Sequence, residues 1–232
     1  MKVLIIIPAY NEEECIQKTV THLKETNPDV DYVIINDCST DATKEICQKN
    51  QFNVVNLPVN LGIGGAVQTG YKFAYENNYD VAIQMDADGQ HDPKYIKEMV
   101  KEIENGNDLV IGSRFIKKEG FQSTWMRRMG INLYAWLLKI FTHKVIKDTT
   151  SGYRAAGRRV IALFSKRYPV DYPEPETNAL IAKNGLKVKE IPMEMKQREG
   201  GISSITPLKS IYYAVKVGLA VVLACIVKDK EV

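Results

Sequence analysis

The sequence predicts an α/β protein: a mostly parallel, Rossmann-like sheet flanked by helices, with a C-terminal helical extension. Three observations point there. Five short apolar runs alternate with amphipathic segments through the first 112 residues. Acidic or glycine-rich turns follow those runs directly. A chain of 232 residues, 45% apolar and 25% charged, is long enough for one large domain with its own core.

Val3–Ile7 reads as the first strand, and Asn11 with Glu14 three residues on suggests a capping box opening a helix. Tyr32–Ile35 is the second strand, followed by a helix from about Thr40 to Asn50. Asn53–Leu57 is the third, followed by a helix over Gly62–Glu76. Asp80–Gln84 is the fourth. Asp92 and Pro93 then serve as N-cap and first residue of a helix carrying Ile96, Met99, Val100 and Ile103 at helical spacing. Asp108–Ile111 closes the series as the fifth strand. Such alternation implies right-handed βαβ units, whose ligands bind at the carboxyl ends of the strands. Asp37 and the stretch QMDADGQHD (84–92) both follow strands directly, so both belong on that edge.

The second half is less regular. Residues 123–143 set Met126, Met129, Leu133, Trp136, Leu137 and Ile140 on one helical stripe, with Arg127, Arg128 and Lys139 elsewhere. Arg158–Arg167 and Glu176–Asn184 read as helices, and Lys187–Ile191 as a strand. KQREGGISSIT (196–206) is a Gly/Ser-rich loop long enough to suggest function. Pro207 starts a final helix. Its uncharged segment VGLAVVLACIV has eleven residues, well short of the roughly 20 that span a bilayer.

Charge is divided along the chain. Residues 1–110 hold 9 Lys/Arg against 18 Asp/Glu, a net of −9, and residues 111–232 hold 22 against 10, a net of +12. That split suggests a metal site in the first half and an anionic partner for the second. The four cysteines lack CxxC pairing and zinc-ligand spacing, as free thiols in a reducing compartment do. The apolar run before Pro8 is too short for a signal-peptide core, so a cytoplasmic protein is expected. No feature points to nucleic acid.

QMDADGQHD crowds Asp86, Asp88 and Asp92 into seven positions. An EF-hand loop fails, because His91 stands where the turn glycine belongs and Lys97 where the final Glu belongs. Turn and cap formation accounts for Asp92 but not for the other two. A Mg²⁺ or Mn²⁺ ion held by Asp86 and Asp88 and shared with a diphosphate accounts for both. GIGGA lacks the third glycine of a dinucleotide fingerprint and the Gly-Lys-Ser/Thr of a P-loop, and reads as a closely packed helix N-terminus.

The neighbouring strand ends carry PAYNEEE, NDCSTDAT, NLGIGGAVQTG and IGSRF in that order. Together they resemble glycosyltransferase family 2, with the glycosyltransferase-A fold. The later motifs DTTSGYRA, YPEPETNALIAKNGLKVKEIP and REGGISS are similar to the dolichol- and undecaprenyl-phosphate sugar transferases. The resemblance implies that Pro8, Tyr10 and Glu12 line the nucleoside pocket and that Asp37 bonds the base. The family usually reads Asp-Asp-Gly-Ser there; this chain has Asn36-Asp37-Cys38-Ser39. It further implies Asp86 and Asp88 as metal ligands with Gln90 assisting, and Arg114 near the phosphates. Arg127 and Arg128 are expected at the acceptor phosphate, and Arg198 and Ser203 in a segment closing over the donor.

The implied reaction is metal-dependent, inverting transfer of a hexose from a nucleotide-sugar, UDP-glucose or UDP-GlcNAc, to a polyprenyl phosphate at the cytoplasmic membrane face. A phosphate acceptor is already anionic and needs a cationic cradle, from Arg127, Arg128 and Arg154, rather than a base. A sugar-hydroxyl acceptor, as in glycan synthesis, needs a carboxylate, with Glu174, Glu176 and Asp148 the candidates. A nucleotidyltransferase would want a basic glycine-rich loop after the first strand, where PAYNEEE is acidic; a non-catalytic sugar-nucleotide binder would not need Asp86, Asp88 and Arg114 intact. Residues 1–206 are expected to form the catalytic unit, with a nucleotide- and metal-binding half (1–112) and an acceptor half (113–206). The 123–143 helix and the 207–232 helix are expected at the membrane interface, the latter also as a means of self-association.

Overall fold

Ile5 and Ile7 of the first strand, β1 (Val3–Ala9), bury on one face of a sheet, and Leu4 and Ile6 on the other. The same two-residue period recurs in β2 (Asp31–Asn36) and β4 (Val81–Gln84). Strands buried on both faces read as continuous apolar runs, which is why they are visible in the sequence. The computed structural model describes residues 1–117, 125–142, 144–171, 173–195 and 216–223, with side chains of the 125–142 helix described from residue 128. Arg198, Ser203, the start of the final helix at Pro207 and the Arg127 side chain lie outside the described residues.

The remaining elements are α1 (Ile16–Thr26), α2 (Thr43–Lys49), β3 (Val54–Asn56), α3 (Gly62–Glu76), α4 (Ile96–Glu104), β5 (Leu109–Ser113) and α5 (Trp125–Thr142). After them come β6 (Arg154–Gly157), α6 (Arg158–Lys166), α7 (Pro173–Lys183), β7 (Val188–Pro192) and α8 (216–223). The sheet order is β3-β2-β1-β4-β6-β5-β7. Among the described strands, only β6 runs against its neighbours, β4 and β5. Helices α1 and α4 cover one face, and α3 and α6 the other.

The chain runs outward from β1 to β3, then returns to β4 on the other side of β1. This reversal opens a crevice at the carboxyl ends of β1 and β4. Pro8 sits where they part. Ile6 O accepts from Met85 N and Ala9 O from Asp37 N, so the alternation puts the missing Pro8 N–H on the β4 side, beyond the end of pairing at Gln84.

Three local expectations are corrected. Asn11 does not open a capping box: it lies at φ 55°, and α1 starts only at Ile16. Its Oδ1 instead accepts from Thr40 N at 2.8 Å. Strand β6 went unread, because Arg-Ala-Ala-Gly has no apolar alternation and exists only between β4 and β5. Helix α7 begins at Pro173 rather than Glu176, with Pro173 and Pro175 in a first turn that needs no N–H donors. Asp92 does cap, its Oδ1 accepting from Lys94 N at 3.0 Å, but what it opens is a 3-10 turn, Pro93–Tyr95, that leads into α4. The close packing expected of GIGGA is found too: a Cβ on Gly64 would stand 2.1 Å from Pro169 O.

Four residues of the α5 stripe face outward, while Leu137 is partly buried against the inner cluster and the Met126 side chain lies outside the described residues. Met129 is 63% and Trp136 58% exposed, with Leu133 and Ile140 also exposed. Its inner face, Ile131, Tyr134 and Leu138, is buried; Tyr134 and Leu138 cluster with Ala179 of α7 and with Val217 and Val221 of α8, whose Leu219 and Leu223 are exposed. Among the described residues, no helix is long and apolar enough to cross a membrane.

Candidate active site

The loops after β1 and β2 are zipped together. Asn11 N donates to Ser39 Oγ (3.0 Å), Glu12 N to Thr43 Oγ1 (2.8 Å) and Glu13 N to Asp41 Oδ2 (3.1 Å). Ala42 N returns a bond to Glu13 Oε2 (2.9 Å). The acids of PAYNEEE thus help build one rigid wall of the crevice. Tyr10 projects from that wall, half exposed, and Pro8 is buried beneath it.

Asp37 is buried at the end of β2, its Oδ1 accepting from Leu61 N at 2.7 Å. This ties β2 to the start of α3 and leaves Oδ2 with no protein hydrogen bond among the described residues. Asn36, in place of the usual first acid, bridges to Asn56 Oδ1 (2.7 Å) and accepts from Ser39 N (3.2 Å). Cys38 holds φ 57°, the left-handed region that suits the family's glycine.

The Asp86–Asp88 turn is held from below. Thr19 Oγ1 of α1 donates to Ala87 O at 2.7 Å, Asp86 N donates to His91 Nδ1 at 2.9 Å, and Gln90 N donates to Asp88 Oδ1 at 3.1 Å. Gly89 turns the chain at φ 77°. The Asp86 side chain is 35% exposed, whereas Asp88 is buried. Gly152, from the loop before β6, faces Asp86: a Cβ there would lie 3.3 Å from Oδ2 and 3.5 Å from Oδ1. A side chain at 152 would crowd the carboxylate, so the glycine keeps this edge open. No group of three or more His, Cys, Asp or Glu able to hold a metal occurs among the described residues. The two carboxylates of Asp86 and Asp88 and the amide oxygen of Gln90 are instead an all-oxygen donor set of the kind Mg²⁺ or Mn²⁺ takes, so their chemistry fits such an ion.

Arg114, at the end of β5, is bound by Asp148 through Nε to Oδ2 (2.8 Å) and Nη2 to Oδ1 (2.7 Å), and Nη2 also donates to Thr150 Oγ1 (2.9 Å). Asp148 is in turn placed by Glu190, which accepts from Lys147 N and Asp148 N at 2.8 Å each. Arg114 and Arg128 share one ring: their guanidinium carbons lie 5.2 and 5.4 Å from the Phe115 centroid. The structure thus joins two arginines that the sequence placed in separate motifs.

Two expected site residues have other partners. Arg154 is fully buried and directs its donors to Ser151 O (2.6 Å), Thr177 Oγ1 (2.8 Å) and Thr149 O (3.3 Å), so it belongs to the frame rather than to an acceptor cradle. Glu176 has Arg167 as its charged neighbour and lines a cavity of about 210 Å³ with Asp171 and Lys216. The acid within the field of Asp86 is Glu174. Burial raises its carboxyl above the ordinary range; Arg154 and Arg114 pull it down, and Asp86 pushes it up. Asp148 is committed to Arg114. His91, Thr19 and Gly152 were missed as site residues, since only the folded chain brings them to Asp86 and Ala87.

The profile of glycosyl transferase family 2 matches residues 4–163. Polyprenol monophosphomannose synthase of Mycolicibacterium smegmatis is 30% identical, over 88% of this chain and 81% of its own. UDP-N-acetylglucosamine–dolichyl-phosphate N-acetylglucosaminyltransferase of Methanococcus voltae is 31% identical, over 83% and 84%. Glucosyl-3-phosphoglycerate synthase of Mycobacterium tuberculosis, crystallised with Mn²⁺, UDP and phosphoglyceric acid, superposes with a TM-score of 0.73 at 18% identity, covering 98% of this chain and 80% of that one. The shared architecture is the glycosyltransferase-A fold. With the family profile spanning well over half its length and its motifs at the strand ends where the crevice opens, this chain belongs to glycosyl transferase family 2 and is a glycosyltransferase.

Proposed function

We propose that this enzyme transfers a hexose, with inversion, from a nucleotide-sugar to a polyprenyl phosphate at the cytoplasmic face of a membrane, with UDP-glucose or UDP-GlcNAc as donor. The observation that carries this reading is the Arg114–Phe115–Arg128 cluster. Arg128 belongs to α5, the helix whose outward stripe is Met129, Leu133, Trp136 and Ile140. A ligand with an anionic head and a long apolar tail would find both halves of its chemistry on one helix.

The base would lie against Tyr10 and Pro8, with Asp37 Oδ2 accepting its N–H. Glu12, whose N–H is tied to Thr43, completes that wall. A Mg²⁺ or Mn²⁺ ion on Asp86, Asp88 and Gln90 would neutralise charge on the departing diphosphate. Arg198 and Ser203 belong to the segment assigned to the donor side, and Arg127 to the acceptor side with Arg128. The acceptor phosphate oxygen forms the new bond to the anomeric carbon. The bond from that carbon to the donor diphosphate breaks, and the nucleoside diphosphate leaves with the electron pair. A phosphate anion carries its own nucleophilic charge, so no side chain takes a proton. Arg128, with Arg114 immobilised beside it by Asp148, would hold the phosphate in place.

A second reading, transfer to a sugar hydroxyl, draws support from Glu174, a carboxyl with raised proton affinity in the field of Asp86. The relatives named for dolichyl- and polyprenol-linked products favour the phosphate acceptor. The test incubates the protein with radiolabelled nucleotide-sugars and polyprenyl phosphate, with Mn²⁺ or with EDTA. Label should enter the organic phase only with the metal. Transfer that persists in EDTA would contradict the role given to Asp86 and Asp88.

A further inference from the structure

His91 has no part in the reaction as described, yet both of its ring nitrogens address one residue. The residue is 4% exposed and its ring stacks on Tyr153, with centroids 4.7 Å apart and planes 13° from parallel. Tyr153 is itself anchored, its hydroxyl donating to Asp92 O at 3.0 Å. Held in this slot, His91 Nδ1 accepts the backbone N–H of Asp86 at 2.9 Å. That bond sets the tautomer: Nδ1 carries no proton, so the neutral ring has its proton on Nε2. Nε2 lies 3.8 Å from Asp86 Oδ2, beyond hydrogen-bond length but with its N–H dipole beside the carboxylate. A histidine serving only as core filler would not direct both nitrogens to the first acid of an Asp-x-Asp turn.

We propose that His91 is a positioning residue that sets Asp86 for divalent-cation binding, through the main-chain bond and the Tyr153 stack. This rests on the reading that Asp86 and Asp88 hold that cation. Partners that orient a metal ligand from behind change metal affinity by about tenfold to a hundredfold when removed. Asp88 has its own turn bond from Gln90 N, so the loss should fall on the Asp86 side of the site.

The test measures Mn²⁺ binding to the full chain by the EPR signal of free Mn²⁺, with and without UDP and with no turnover. His91→Phe keeps the ring stack and removes both nitrogens; it should bind Mn²⁺ about tenfold to a hundredfold more weakly than wild type. His91→Leu makes the same comparison if the Phe variant does not fold. His91→Asn, whose Oδ1 replaces Nδ1 as acceptor, should recover most of that loss. Metal-free thermal unfolding of the variants separates lost affinity from lost fold. Wild-type Mn²⁺ affinity in folded His91→Phe or His91→Leu overturns the proposal, and so does His91→Asn binding as weakly as they do. Asp86→Ala tells the two premises apart. Its loss of Mn²⁺ binding upholds the cation reading, while unchanged binding sinks that reading and the proposal with it.

Discussion

Arg114 and Asp148 form a two-pronged ion pair at the carboxyl end of β5, with both side chains almost wholly out of solvent. Removing one partner of such a pair leaves a buried charge uncompensated. Asp148→Ala should therefore cost about 3–5 kcal/mol of stability, measured by denaturant unfolding without ligands. A cost below about 1 kcal/mol, as for a surface pair, would show that Arg114 relaxes into solvent.

Arg128 makes the sharper functional prediction, because it stands over Phe115 beside Arg114 without being consumed by Asp148. If Arg128 holds the acceptor phosphate as proposed, Arg128→Ala should raise the KM for polyprenyl phosphate about tenfold or more, through loss of a charge-assisted contact. The KM for the nucleotide-sugar should be little changed. Steady-state kinetics with each substrate varied in turn checks this, and an equal rise in both would argue against an acceptor role.

Glu174 predicts a pH dependence of stability. Burial holds its carboxyl above the ordinary value of 4.5, against the pull of Arg154. A carboxyl whose folded value exceeds its unfolded value binds more protons in the native state between the two. Its contribution to stability therefore falls as pH rises from 4.5 through the folded value. Glu174→Gln cannot ionise and should lack that decline, so its melting temperature should gain on the wild type as pH rises. Thermal melts of both metal-free proteins across that range provide the measurement; parallel curves would contradict it.

The outward stripe of α5 predicts contact with lipid. Trp136→Asp combined with Met129→Asp alters only exposed positions, so the far-ultraviolet circular dichroism should not change. Flotation with anionic phospholipid vesicles should show binding weakened by about tenfold or more, from the apolar burial lost. Unchanged flotation would remove α5 from the membrane account.

The sheet was legible because Leu4 to Ile7, Tyr32 to Ile35 and Val81 to Ile83 bury on both faces and appear as unbroken apolar runs. Strand β6 was not, since Ala155 and Ala156 prefer helix locally and are strand only because β4 and β5 flank them. The same division holds at the site. Asp37, Asp86 and Asp88 could be placed from their positions after strands. That Asn11 reaches Thr40, that His91 turns back on Asp86 and that Gly152 clears space beside it depend on contacts between separate segments, which spacing does not encode. Asn11 misled for a physical reason: the residue types that cap helices also bond neighbouring loops.

Recognition of the acceptor as a phosphate is tested most directly by offering the enzyme polyprenyl phosphate and the unphosphorylated polyprenol of the same length, with labelled nucleotide-sugar and Mn²⁺, and counting label in the organic phase. Label with the phosphate and none above background with the alcohol is the predicted result. Equal labelling of both, or transfer only to a free glycan, would contradict it.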